Sequence, residues 1–243
     1  MSSSQSSALV ERRLRSCAYL KEVYGGSKHW LSVVTLGAAP EKADGLEEVQ
    51  VLRWFYLGVS LATLLAQPPG APFVRAMLQL LEELQYHFSS STERNIKSIR
   101  ARGPNRGGAG SGASAAAAVD GDMAPTLQRA NGRVLYEYLL TPHVAHALSG
   151  VQVALGLCDL LSKIYRKLAE CTAVSGATAS LAEAVARVDE KLEEHFLAPA
   201  TRNAETLAKS ALRSTLGGLD PIWDKVIGSE QGRRESTERE LAG

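Results

Sequence analysis

The sequence predicts an all-α protein, a helical bundle of about seven to nine helices. Apolar residues recur at three- and four-residue spacing along most of the chain, which is the pattern of amphipathic helices. No run of alternating β-branched and aromatic residues bounded by turns stands out. Prolines and paired glycines separate the helical segments, as expected at helix ends. The length of 243 residues fits one large domain or two small ones.

Specific residues set the boundaries of the predicted helices in the N-terminal half. Gly25-Gly26 ends the first helix, and the Pro68-Pro69-Gly70 turn ends the second. Pro72 lies in the first turn of the third helix, where its missing N–H costs nothing, and a continuous apolar stripe follows. Ser90 with Glu93 has the form of a capping box that begins a short fourth helix. In chain order these helices are predicted at 8–24, 46–66, 72–88 and 91–102.

The stretch from Trp30 to Leu36 is short and apolar. Its Val33-Val34-Thr35 has strand character, but the sequence offers no obvious second strand to pair with it. We therefore expect a helix extension or a packed loop here, followed by a loop at 37–45.

Similar signals organise the C-terminal half. Thr141-Pro142 separates one helix from a longer one that follows it. Ala198-Pro199 and Gly217-Gly218 end the next two helices. Asp220-Pro221 provides a cap and first position for a short last helix. These helices are predicted at 126–140, 143–171, 181–196, 207–216 and 220–227.

One long segment lacks residues able to form a core. Between Gly103 and Ala124 the chain is mostly Gly, Ala and Ser, with little apolar area to offset the entropy of ordering. We predict a disordered insert between two helical halves that pack together, the alternative being two subdomains joined by a linker. The predicted division is a disordered N-terminus at 1–7, an N-terminal helical half at 8–102, the insert at 103–124, a C-terminal helical half at 125–228 and a frayed or disordered tail at 229–243.

Charge and cysteine content narrow the class of protein. A formal net charge of +1 gives no general attraction to nucleic acid or anionic membranes. Cys17, Cys158 and Cys171 are too scattered for a disulfide framework, and we expect inert buried thiols in a reducing compartment. The N-terminus lacks a secretory signal pattern. The most apolar stretch, 54–66, is shorter than the roughly 20 residues that span a bilayer, so we expect a central bundle helix and a cytoplasmic protein.

The sequence shows no catalytic or metal-binding constellation. His143 and His146 have ligand-like spacing on one side of a predicted helical turn, but two donors are too few for a zinc site. Paired carboxylates such as Glu82-Glu83 diverge by about 100° around a helix and indicate solvated faces. We therefore predict no enzyme activity, no metal and no cofactor. The least favoured alternative is an enzyme whose site combines distant residues such as His143, His146 and Glu137.

What remains for function is surface and shape. An all-helical chain without a catalytic constellation is typical of a scaffold or adaptor that offers apolar stripes to partner proteins. We expect a non-enzymatic subunit of a multiprotein complex in trafficking, signalling or cytoskeletal organisation. The short last helix buries little of itself, and its apolar residues are the candidates for partner binding: Trp223, Ile222 and Val226.

A local basic run supports the alternative of a peripheral membrane-binding protein. The run lies in the element 91–106 and accompanies Ile96 and Ile99, as in a basic amphipathic surface element that contacts an anionic partner or lipid. Its other interpretation is a solvated helix end whose charges complement the helix dipole. The basic run lacks aromatic residues for base stacking, so we expect no sequence-specific binding of nucleic acid. The cations are Arg94, Lys97, Arg100, Arg102 and Arg106.

Overall fold

A computed structural model of the chain describes residues 3–36, 46–89, 125–130, 133–173 and 179–217. This part is mostly helical, which confirms the predicted fold class at that level. The predicted count of seven to nine helices includes segments outside it. The α-helices are α1 (Ser3–Tyr24), α2 (Glu48–Leu64), α3 (Ala71–Phe88), α4 (Gly150–Ala173), α5 (Ala179–Leu192) and α6 (Ala198–Gly217).

The helices pack around a contiguous hydrophobic core. α1 lies along α4, α2 contacts both α3 and α4, and α3 packs against α5. The core takes residues from sequence positions on either side of 103–124. Trp54 of α2 is among its largest fully buried side chains, with Phe73, Tyr165 and Phe196. The apolar α2 is therefore a central helix, as its sequence predicts. None of the described helices is long and apolar enough to cross a bilayer.

The prediction for residues 30–36 is wrong, because the stretch forms a hairpin. β1 (His29–Trp30) pairs antiparallel with β2 (Val34–Thr35), so the partner strand is the immediate neighbour. The turn places Leu31 at a φ of 49°, in the left-handed region that costs a non-glycine residue roughly 1–2 kcal/mol. The Tyr19 hydroxyl accepts the Leu31 N–H at 2.8 Å. This bond from α1 supports a turn that the local sequence disfavours.

The predicted helix at 126–140 is also wrong. The chain there forms β3 (Gln128–Ala130) and β4 (Arg133–Leu135), which pair antiparallel. It then runs irregularly, and α4 begins only at Gly150, so the helix predicted from residue 143 starts late. The apolar spacing is helical, but side chains of α2 and α3 take the main-chain hydrogen bonds of this segment. Tertiary contacts therefore override the local pattern.

Helical structure continues through a proline where the sequence predicts a break. α5, a π-helical segment (Glu193–Leu197) and α6 follow one another without interruption. In an α-helix the carbonyl of His195 accepts the N–H of residue 199, which Pro199 lacks. The indole Nε1 of Trp54 donates to that carbonyl at 3.0 Å. Trp54 and, at 3.5 Å, the side-chain amide of Gln50 thus donate from α2 to a carbonyl that Pro199 cannot bond. The prediction of separate helices is wrong, because the helical structure continues through Pro199.

We expect Trp54→Phe to lower the free energy of unfolding by about 2 kcal/mol, because it removes the indole donor at 3.0 Å and leaves the buried His195 carbonyl the longer bond from Gln50 at 3.5 Å. Urea unfolding measures the loss. Pro199→Ala restores a main-chain N–H in helical register. The double variant Trp54→Phe/Pro199→Ala should therefore lose less stability than Trp54→Phe alone. An equal or larger loss in the double variant would show that the indole acts through packing only.

Several predicted segments lie outside the described residues. α1 begins at Ser3, inside the predicted disordered N-terminus at 1–7. The segments of which the structure describes nothing are the loop at 37–45, the helix at 91–102, the insert at 103–124, the last helix at 220–227 and the tail at 229–243.

Candidate functional site

An open groove lies between α2 and the chain that leads into α4. Its volume is about 770 Å³. The irregular segment 141–148, which we call the groove wall, forms one side. The N-terminal half of α2 and the residue Leu46 before it form the floor. The floor of the groove belongs to α2, a helix that the core positions.

The floor is one face of α2. Glu48, Leu52 and Tyr56 recur at four-residue spacing, so they lie along one side of the helix. Leu52 and Tyr56 are half-buried, and the adjacent Val51 is buried. Trp54 is fully buried in the core on another face. Packing of that core face thus leaves a second, largely apolar face of α2 open to the groove.

A buried carboxylate fixes the chain that enters the groove wall. Glu83 of α3 is 0% exposed. Its Oε1 accepts the main-chain N–H of Glu137 at 2.9 Å. Its Oε2 accepts those of Tyr138 and Leu139 at 3.0 and 2.8 Å. The side-chain amide of Gln79 donates to Oε1 at 2.8 Å. Four donors thereby satisfy a charge that would otherwise be costly to bury.

Two further side chains hold the same stretch of chain. Gln79 accepts the N–H of Thr126 at 2.8 Å and donates to the Thr126 carbonyl at 3.0 Å, as a paired strand residue does. The buried Ser60 hydroxyl of α2 accepts the Leu140 N–H at 2.9 Å. We call Ser60, Gln79 and Glu83 the backbone clamp. The clamp side chains bond main-chain atoms of Thr126 and of residues 137–140. The last of these residues, Leu140, lies directly before the groove wall.

The groove wall itself is open. Within the described part of the chain, no residue of 141–148 makes a hydrogen bond. His143 and His146 are exposed, whereas Val144 and Leu148 are half-buried. The main-chain N–H and C=O groups of the wall are therefore available to solvent or to a bound molecule, because each is an obligatory hydrogen-bonding group.

The groove is acidic at the N-terminus of α2. Glu48 lines the groove and Glu47 precedes it, and both are exposed. Carboxylates at this position also interact favourably with the helix dipole. Arg53 of α2 does not line the groove, and its guanidinium lies 4.9 Å from the ring centre of Phe88. The groove therefore complements a ligand that is mainly apolar and carries a positive charge.

A buried ion pair connects α1 with α5 elsewhere in the core. Arg13 is 7% exposed, and its Nε and Nη2 donate to the two oxygens of Asp189 at 2.7 and 2.9 Å. The Tyr165 hydroxyl donates to Asp189 at 2.8 Å, and Arg13 also bonds Glu193. Hydrogen bonding to Asp189 raises the pKa of Arg13, and burial raises the pKa of Tyr165. The Arg13–Asp189 pair joins α1 to α5, which is a structural role.

The cysteines are confirmed as core residues. All three are buried and unpaired, and burial raises the pKa of Cys17 to about 11. The prediction that His143 and His146 share one side of a helical turn is wrong, because their segment is irregular; both line the groove instead. Glu137 gives only its main-chain N–H to the clamp. Among the described residues no three His, Cys, Asp or Glu side chains are placed to hold a metal ion.

Sequence reasoning missed the backbone clamp. It interprets Glu82-Glu83 as part of a solvated face, which is wrong for Glu83 because that side chain is fully buried. The available signal was its position: Gln79 and Glu83 lie four residues apart within a stretch that includes the buried Leu80 and Leu84. Long polar residues are rarely buried in an apolar stripe unless they have partners.

The remaining candidate residues lie outside the described part of the chain. They are the partner-binding residues of the last helix and the cations of the basic run: Trp223, Ile222, Val226, Arg94, Lys97, Arg100, Arg102 and Arg106.

Comparison with known proteins gives no match. No protein-family model, no curated protein and no solved structure matches this chain. The groove and the backbone clamp are therefore interpreted from their own chemistry.

Proposed function

We propose that the protein is a non-enzymatic adaptor or scaffold subunit that binds a partner protein in the groove. The observation that carries the proposal is the combination of an apolar floor on α2 with a wall of open main chain in a groove of about 770 Å³. Protein interfaces combine apolar anchors with main-chain hydrogen bonds in this way.

The shape and lining of the groove suit a polypeptide better than a small metabolite. Sites for small molecules enclose most of the ligand and aim a few polar groups at it. Here the polar groups of the wall are mainly main-chain atoms, and they follow one another along 141–148. Half-buried apolar side chains such as Leu52 and Val144 lie on both sides. A partner segment would bury them and satisfy the wall at the same time.

The proposal keeps the wider expectations drawn from the sequence. These are a cytoplasmic protein, a bundle of seven to nine helices with an insert at 103–124, and a role in trafficking, signalling or cytoskeletal organisation. A net charge near zero and three buried free thiols support a subunit of a complex in a reducing compartment.

We expect Leu52→Asp and Val144→Asp each to weaken partner binding at least about tenfold, because each puts a charge into an apolar contact from one side of the groove. Tagged wild-type protein and variants are recovered from native cells with their partners. The partners are identified by mass spectrometry, and the complex is then measured with purified components.

The matched control is Leu31→Asp. Leu31 is 69% exposed at the tip of the β1–β2 hairpin, and it does not line the groove. This variant should bind the same partner with wild-type affinity. Circular dichroism checks that all three variants are folded. Equal recovery of every partner by wild type, Leu52→Asp and Val144→Asp would overturn the proposed function.

A further inference from the structure

Resting on the proposed function, we infer that the groove takes its partner as an extended segment. The segment pairs its main chain with the groove wall and places alternate apolar side chains on the face of α2. The partner is a protein segment in which apolar and basic residues alternate. This inference adds the backbone geometry and the charge of the partner to the proposed docking site.

The main chain of the groove wall offers free hydrogen-bonding groups to such a segment. Residues 141–148 make no hydrogen bond within the described part of the chain, and the wall includes a single proline, Pro142. A stretch of unpaired N–H and C=O groups is a template for another extended chain. A bound helix satisfies its own main-chain groups internally, so it would leave the wall unpaired.

The same helices already bind a non-helical segment of this chain by its main chain. Glu83 accepts three consecutive N–H groups, from 137–139, and Ser60 accepts the N–H of Leu140. Gln79 adds a reciprocal pair with Thr126. The groove wall continues directly from Leu140. The α2–α3 surface thus binds non-helical chain up to the point where the groove begins.

The floor and the acidic N-terminal end of α2 favour alternating apolar and basic side chains in the bound segment. In a strand successive side chains point to opposite faces, so every second residue of a bound segment would reach Leu52 and Tyr56 on the floor. The intervening side chains would point away from the floor. Glu47 and Glu48 lie at the α2 end and favour lysine or arginine in a bound segment.

The test uses a fluorescein-labelled peptide of alternating Val and Lys as the probe, with fluorescence polarisation on the full chain. Alternate main-chain N–H groups of a strand point to opposite edges. One peptide therefore carries N-methyl groups on its Val residues, and a second carries them on its Lys residues. We expect one of these peptides to bind at least about tenfold more weakly than the parent and the other to bind within about twofold.

Variants of the protein locate the binding. Leu52→Asp should abolish binding of the parent peptide, and the matched control Leu31→Asp should bind the parent peptide with wild-type affinity. Glu48→Gln should weaken it about threefold. The same substitution should leave the affinity for a peptide of alternating Val and Ser unchanged.

Three results would overturn the inference. They are no binding of the parent peptide, equal binding of both N-methylated peptides, and tighter binding of a helical Leu-Lys peptide at the groove. The partner-capture experiment with Leu52→Asp remains an independent measurement. Loss of a natural partner there, together with any of these three results, would retain the groove as a docking site and reject the extended mode.

Discussion

Glu83→Ala is expected to lower the free energy of unfolding by about 4 kcal/mol. The substitution removes the acceptor of three main-chain N–H groups and of the Gln79 amide in a site that water does not reach. Each buried donor left without an acceptor costs about 1–3 kcal/mol. Urea unfolding measures the total, and hydrogen exchange of the amides at 137–139 should become faster.

Two controls separate the clamp from a general effect of charge. Glu183→Ala removes an exposed carboxylate that pairs with Arg187 one helical turn away, and it should change stability by less than about 0.5 kcal/mol. Glu83→Gln keeps the shape but retains one acceptor oxygen, so its effect should lie between wild type and Glu83→Ala. Wild-type stability and unchanged exchange in Glu83→Ala would show that Glu83 does not hold the segment.

The clamp also connects stability with function. Glu83 contacts residues directly before the groove wall and has no place in the groove lining. Glu83 is therefore a positioning residue for the proposed docking site. We expect Glu83→Gln to weaken partner binding even under conditions in which the protein remains folded.

Asp189→Ala is expected to lower the free energy of unfolding by about 3–4 kcal/mol. Removing one partner of a buried ion pair leaves the other charge without compensation, which typically costs about 3–5 kcal/mol. Arg13 would keep its contact with Glu193, whose side chain is 50% exposed, so we place the loss toward the lower end. The Tyr165 hydroxyl would also lose its acceptor. Urea and thermal unfolding measure the loss.

The informative comparison is with the double variant Arg13→Met/Asp189→Leu. It replaces the ion pair by apolar side chains, so no charge remains buried without a partner. We expect this variant to be more stable than Asp189→Ala. If both variants lose the same stability, the effect comes from packing around α5, and our account of the buried charge is wrong.

Sequence periodicity succeeded for elements that bury a long apolar face. The stripe from Phe73 to Leu84 predicts α3, and the nearly continuous apolar stretch after Val51 predicts a central α2; both are confirmed. It failed at 126–140, where the apolar spacing was helical. The main-chain groups of that segment bond to Glu83 and its neighbours in the clamp, so contacts distant in sequence outweighed a local pattern.

The candidate site was less accessible to sequence reasoning than the fold. The spacing of His143 and His146 predicts two neighbouring side chains on a helix. Both instead line the groove from a segment that is irregular. Glu83 and Gln79 have helical spacing and no known motif around them. Their importance depends on which backbone atoms face them, and that is a property of the folded chain.

The sequence alone determined the helical class of the protein and its central apolar helix, because both depend on residue spacing within one segment. It also indicated that the cysteines are buried, which the structure confirms. Only the tertiary structure decided where helices gave way to other conformations. Trp54 donates to the His195 carbonyl, which Pro199 cannot bond, and Glu83 binds backbone from the other half of the chain. The physical reason is that a main-chain group accepts any partner with suitable geometry, including one distant in sequence.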